Sequence, residues 1–354
     1  MHMTKYKKIR GFTAAGLLAV PVMLSGCNLV STNSSKEVDP PPSQVEQQML
    51  NASQGVMKQM EQTGVPTTVY LTNDHGMLAP VSLGIPATTG TAHLQGALES
   101  LVADGKYADY LPEGFAGVLP AGTEVKNVTV QKDKKMAVVE FNKDFEKYKA
   151  PQERKILEAI TWTLTGNPNV EKVQLWVDGQ KLSEMPVNGT PLDESLTRSI
   201  GINLQQGDGA SLMDSSPVTV YFSAMSPAET QYYVPVTRLV KTGQDSVKAA
   251  LNELIRGPQE NDGLERVMSD VTALKDVKKA KDGTVTVSLK DDMFAKDEKV
   301  PLEFLQSVVL TVAENAGNPK VKIQLNGESK VVGYDNQDYS QPVSRPQYIN
   351  QIPL

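Results

Sequence analysis

Few residues in this chain could do chemistry. A single cysteine, Cys27, excludes any intrachain disulfide and any site built from several thiolates. Of the three histidines, His2 lies near the N-terminus, while His75 and His93 have no cysteine or His–Glu pairing around them. Zinc needs three or four clustered ligands, and no such spacing occurs. A Gly-x-Ser-x-Gly elbow, a phosphate loop and a dinucleotide fingerprint are also absent. Asp144 and Asp292 recur at equivalent places in the chain, and a pair of carboxylates could do acid–base work. Turns and helix caps use aspartate at such places more readily. The sequence therefore offers no catalytic residue, cofactor or metal ligand set, and reads as a non-enzyme. Tyr70, Tyr221, Trp162, Trp176, Tyr232 and Tyr233 could line a glycan site, but Tyr70 and Tyr221 alternate within apolar segments and read as core. Tyr107, Tyr110, Tyr232 and Tyr233 fall in expected loops and are the candidates for a protein interface.

Cys27 gains its meaning from what precedes it. Lys5, Lys7, Lys8 and Arg10 lead into an apolar run, Gly11–Leu24. The run is too short for a bilayer core of about 30 Å. Residues 1–26 thus read as a signal peptide. It ends in Leu24-Ser25-Gly26-Cys27, which resembles a bacterial lipobox, whose cysteine is diacylated and becomes residue one. Two acyl chains are what stable anchoring requires, so the lipid bilayer is the first expected partner, through acylated Cys27 on the extracytoplasmic face. Cleavage would remove four basic residues and take the formal charge from −6 to −10. Such a body argues against nucleic acid and is repelled by anionic lipid. Ser31–Ser43, with Pro40-Pro41-Pro42, suits a semi-extended tether. Val45, Met49, Val56 and Met60 then follow helical spacing up to Gly64-Val65-Pro66. Residues 27–64 thus comprise the acylated cysteine, a tether and a short helix.

The remainder is one unit written twice. Trp162-Thr163-Leu164-Thr165-Gly166-Asn167-Pro168 is followed by an apolar strand ending in Asp178-Gly179. Thr311–Ala316 with Gly317-Asn318-Pro319 is followed by another ending in Asn326-Gly327, with Asn167 and Asn318 151 residues apart. Glycine ends a helix and proline prevents its continuation, while Asp-Gly and Asn-Gly favour tight hairpin turns. An offset this large indicates a duplicated domain, not a solenoid repeat. Each copy opens on a strand, Thr67–Leu71 or Val218–Phe222. A helix follows, with apolar residues Leu94, Ala97, Leu98, Leu101 and Val102, or Val247, Ala250, Leu251, Leu254 and Ile255. Two strands come next, joined in the second copy by Asp282-Gly283, which suggests a type I′ turn. The second helix starts at Pro151 or Pro301. Each copy thus runs β-α-β-β-α-β, an α+β unit with both helices packed on one face of its sheet. The expected divisions are a first domain at 65–204, a Gly/Ser-rich linker at 205–216 and a second domain at 217–354. Thr197-Arg198 with Ile202-Asn203 echoes Ser344-Arg345 with Ile349-Asn350, which ties the C-terminal segment to domain two.

With its lipobox, tandem copies, Val-Tyr-Leu/Phe opening strand and Gly-Asn-Pro…Asp/Asn-Gly turn, the chain resembles the sporulation and spore-germination (GerMN, or Germane) family over roughly residues 66–350. Family members resemble the ring-building folds of secretion systems and of the channel spanning the two membranes around the forespore. The resemblance implies a scaffold needed for sporulation and germination. It implies as partners other sporulation-complex proteins and further copies of the chain in a ring-like oligomer. It implies a place in the space between mother-cell and forespore membranes. The competing reading is a lipoprotein that binds peptidoglycan or a small ligand.

Overall fold

The computed structural model describes residues 64–86, 91–206, 214–260 and 262–352. Cys27, the leader, the tether and the expected helix from Val45 to Met60 lie outside them.

Both copies contain the expected elements plus one further long strand, and copy one has short two-residue strands besides. Copy one runs β1 (Val65–Asn73), β2 (Leu78–Ile85), α1 (Ala92–Glu99), β3 (Phe115–Ala116), β4 (Val125–Gln131), β5 (Met136–Phe141), α2 (Glu153–Leu164), β6 (Lys172–Val177), β7 (Gln180–Lys181) and β8 (Gln205–Gln206). Copy two runs β9 (Ser215–Met225), β10 (Gln231–Lys241), α3 (Ser246–Arg256), β11 (Ala273–Lys279), β12 (Val285–Lys290), α4 (Leu302–Ala316) and β13 (Val321–Leu325). The added element is the strand after the opening one. β1 and β9 do not enter the main sheet as expected; each forms an antiparallel hairpin with β2 or β10. Pro80 and Gly84 in β2, and Pro235 in β10, hide these strands from a sequence reading, because proline cannot donate to a ladder. The main sheets, β4-β5-β6-β7 and β11-β12-β13, each keep one parallel pair, β5–β6 or β12–β13, joined through α2 or α4.

The hairpins explain why the helices are apolar beyond one stripe. α4 packs on β9 and β13, and α2 on β1 and β6. Nearly every residue from Ile156 to Leu164 and from Phe304 to Ala313 is therefore buried. Each unit is a layered α+β domain, with its helices between hairpin and sheet and the outer sheet face open. Strand residues alternate accordingly: Val139, Phe141, Val173 and Leu175 point inward, while Val138, Glu140, Gln174 and Trp176 point outward and stay partly exposed. At Asp282-Gly283 only Gly283 has positive φ, so the expected type I′ turn is replaced by a longer loop. There Asp282 Oδ1 accepts from Thr284 N.

The two copies meet hairpin to hairpin. Their proline-bearing edges are joined by two asparagine side chains. Asn203 accepts from Leu78 N at 2.8 Å and donates to Leu78 O at 2.7 Å and Pro235 O at 2.8 Å. Asn350 accepts from Tyr233 N at 2.7 Å and donates to Pro80 O and Tyr233 O, both at 2.7 Å. The arrangement is pseudo-twofold, and it satisfies carbonyls that a proline edge leaves without partners. Ala224, Tyr232, Val234 and Ile352 of copy two share one buried cluster with Val69, Leu78 and Phe115 of copy one. The ends of the expected linker are strand: Gln205 and Gln206 pair with Arg238 and Leu239, and Ser215 and Ser216 with Lys241 and Val240. Residues 207–213 lie outside the described residues.

Candidate functional site at the domain junction

Where the copies face each other, a buried charge network lies at the foot of a cleft of about 840 Å³. Arg198 opens a single helical turn, Arg198–Ile200, after Thr197, whose hydroxyl accepts from Ser199 N. Gly201 ends that turn at φ 78°, and a β-carbon there would meet Thr237 at 3.0 Å, so only glycine lets the segment descend onto β10. Gly201 O accepts from Trp162 Nε1 at 2.8 Å, and Arg198 lies 4.3 Å above the Trp162 ring. The indole thereby contributes a cation–π contact as well as packing.

Glu314, in the last turn of α4, joins both halves. Arg198 Nη1 donates to its two oxygens at 2.8 and 2.9 Å, and Arg345 Nη1 to Oε2 at 2.6 Å. Tyr221 OH donates to Oε2 at 3.1 Å and accepts from Arg345 Nη2 at 2.9 Å. Burial alone would raise the Glu314 carboxyl. The two guanidinium groups outweigh it and hold the pKa at about 2, down from 4.5. Burial raises both the Tyr70 and the Tyr221 phenol, so both remain neutral.

The copies differ here in one respect. Tyr70 N donates to Thr163 Oγ1 at 3.0 Å and Tyr221 N to Thr311 Oγ1 at 3.1 Å, so Thr163 and Thr311 are equivalent. Three residues further on stand Gly166 and Glu314. α2 has 12 residues and α4 has 15, so copy one lacks the turn that carries the carboxylate. Two arginines therefore share one glutamate. The network holds the units together and presents cationic, hydrogen-bonding groups to the cleft. The described residues contain no cluster of three His, Cys, Asp or Glu side chains.

Residues 68–183 and 219–331 both match the family Germane, described as "Sporulation and spore germination", which together is more than half of the chain. The chain belongs to the Germane family. It is 35% identical, over 97% of its length and 98% of the relative's, to the spore germination protein GerM of Bacillus subtilis (strain 168). The solved tandem GerMN domains of the sporulation protein GerM from Bacillus subtilis superpose with a TM-score of 0.73 at 37% identity, covering 81% of this chain and 99% of that one.

The Germane units bring together few of the residues singled out from sequence. Tyr232 is not in a loop: it lies in β10, 1% exposed, stacked edge-on against Phe115 at 5.1 Å, with its hydroxyl accepting from Asn73 Nδ2 at 3.0 Å. Tyr233 also lies in β10, half-buried against Tyr221, Leu310 and Ile349. Both were expected as outward candidates, but the unrecognised hairpin places Tyr232 inside the junction. Tyr107 caps and Tyr110 ends a single helical turn, Ala108–Tyr110, between α1 and β3, with Tyr107 half-buried and Tyr110 65% exposed. Asp144 and Asp292 sit in different units, each ion-paired to a nearby lysine, Lys147 at 2.6 Å and Lys290 at 3.1 Å. The structural aspartate at that corner is Asp291, fully buried and accepting from Ser269 and Thr272. His93 contacts Asn167 at the cleft rim, 3.2 Å away, and His75 lies beside Asp74 at 3.8 Å. Glu314, Arg198 and Arg345 carry the site. Their one sequence signal was the repeated Arg-x-x-x-Ile-Asn at 198–203 and 345–350.

Proposed function

We propose that this Germane chain is a non-enzymatic, lipid-anchored scaffold of sporulation and germination, assembling with partners or with copies of itself between the membranes around the forespore. The observation that supports this reading most directly is the pair of open outer sheet faces on two units joined into one body. One carries Val138, Glu140, Gln174 and Trp176; the other carries Thr286, Ser288 and Gln324. Trp176 is the large apolar group on these faces, and aromatic residues are enriched at interfaces. The sheet edges are poorer candidates for strand addition. β4 and β11 each contain a bulge, Gln95 Nε2 and Thr91 Oγ1 donate to carbonyls of β4, and β11 carries Lys275, Lys278 and Lys279. Natural edges are protected by such features. Similarity to GerM supports a role in sporulation and germination.

Trp176→Lys and Tyr110→Lys test the reading. Both groups are at least partly exposed, so folding free energy should change by about 0.5 kcal/mol or less. Localisation and sporulation should nevertheless fail in cells. Normal sporulation with both variants together would reject assembly through these faces. For the anchor, Cys27→Ala is expected to give a folded chain released from the membrane fraction. Detergent-dependent membrane retention of that variant would refute lipidation as the anchor.

A further inference from the structure

We propose that the domain-junction cleft is a binding site for a small, hydroxyl-bearing carboxylate, seated against Arg198 where copy one lacks the equivalent of Glu314. This goes beyond the assembly reading and does not depend on it.

Among the described residues, the charges lining the cleft do not balance. Two guanidinium groups line it, and Glu314 is the sole carboxylate among its described lining residues. Arg345 commits Nη1 to Glu314 and Nη2 to Tyr221. Arg198 commits Nε to Thr165 Oγ1 at 2.9 Å and Nη1 to Glu314, and its side chain remains 26% exposed. Nη2 is the nitrogen left over, and its N–H groups suit a carboxylate oxygen, which would accept a charge-assisted hydrogen bond from them. The cationic excess is a local reversal in a chain whose formal charge is −6.

The vacancy follows from the duplication. On the copy-two side the final helical turn places Glu314 between the arginines. On the copy-one side α2 stops at Leu164, and Thr165, Gly166 and Asn167 line open space instead. The carboxylate that symmetry would place there is missing, while the arginine it would meet is present. Around that position Thr68, Asn167, Gln347 and Tyr348 offer neutral donors and acceptors for hydroxyl groups. A few polar groups in a concave site are the usual recipe for orienting a small ligand. Both helices end at the cleft, and their C-terminal dipoles oppose an anion. That effect is confined to the last turn and weakened by salt, whereas the Arg198 contact is direct.

Trp162, beneath Arg198, supplies the readout, since Trp176 is the only other tryptophan. The full chain carrying Trp176→Phe would be titrated with glucuronate, glucose and glucose 6-phosphate at constant ionic strength, following Trp162 fluorescence. Glucuronate is expected to give a saturable change, with glucose binding at least about tenfold more weakly. Arg198→Gln should weaken glucuronate by a similar factor. Gly166→Glu, which places a carboxylate in the vacancy, should block it while the chain still unfolds in one cooperative transition; its β-carbon would meet Thr163 O at 3.2 Å, which a small local shift relieves. Gly166→Glu also carries the test if Arg198→Gln does not fold. Equal responses to glucuronate and glucose, or none to either, would overturn the proposal. So would a response to glucose 6-phosphate alone, or glucuronate binding unchanged in Gly166→Glu.

Discussion

Glu314→Ala is expected to destabilise the chain by about 3–5 kcal/mol, because it strands two largely buried guanidinium groups. Arg198 and Arg345 side chains are 26% and 16% exposed, so water screens them only in part. Arg198 would keep Thr165 and the Trp162 ring, and Arg345 would keep Tyr221. None of these is a counterion. The pH dependence of the wild-type chain supplies an independent check. The carboxyl is held at about 2 in the folded state against 4.5 otherwise, so its contribution to stability is fully present above pH 4.5. It is lost as pH falls from there towards 2, and amounts to about 3 kcal/mol when complete. Urea midpoints measured at neutral pH and at steps down to pH 2 should therefore converge for wild type and variant. A constant gap across that range would mean that Glu314 stabilises by packing and not by charge.

The sequence revealed each unit but not how the two are joined. The helical stripe at Val247–Ile255, the hairpin strands around Val125–Phe141 and Ala273–Lys290, and the helix starts at Pro151 and Pro301 follow from local periodicity and backbone chemistry. The stripe at Leu94–Val102 overshoots, because α1 ends at Glu99, and Leu101 and Val102 are buried beyond it. β2 and β10 do not follow in this way, because Pro80 and Pro235 interrupt their strand pattern, and the asparagines satisfying those edges lie 270 and 32 residues away in sequence. The junction was illegible for a related reason. Arg198 and Arg345 repeat visibly, but Glu314 has no counterpart, and the three-residue difference between α2 and α4 sits just ahead of a matching Gly-Asn-Pro segment. Only the equivalence of Thr163 and Thr311, each bonded to its opening strand, shows that Gly166 stands opposite Glu314. Long-range polar contacts of this kind carry no period, so a sequence pattern has nothing to detect.

Tyr232→Ala should cost about 3–5 kcal/mol, the usual range for removing a buried aromatic side chain, whereas Tyr110→Ala should change stability by about 0.5 kcal/mol or less. The two tyrosines look alike in sequence, as polar-tipped aromatics in segments free of helical periodicity. Their surroundings separate them. Tyr232 is a residue of copy two buried against Phe115 of copy one, and its hydroxyl is the acceptor for the Asn73 amide. Truncation would open a cavity at the junction and leave that amide without its acceptor, so the loss should be felt by both units in a single unfolding transition. Tyr232→Phe separates the two causes. It keeps the ring and removes the hydroxyl, at an expected cost of about 1–3 kcal/mol for the stranded buried donor. Chemical denaturation of the three variants decides the matter. Equal stability of Tyr232→Ala and Tyr110→Ala would show that Tyr232 is not held in the junction in solution, and would return it to the outer surface as a contact for a partner.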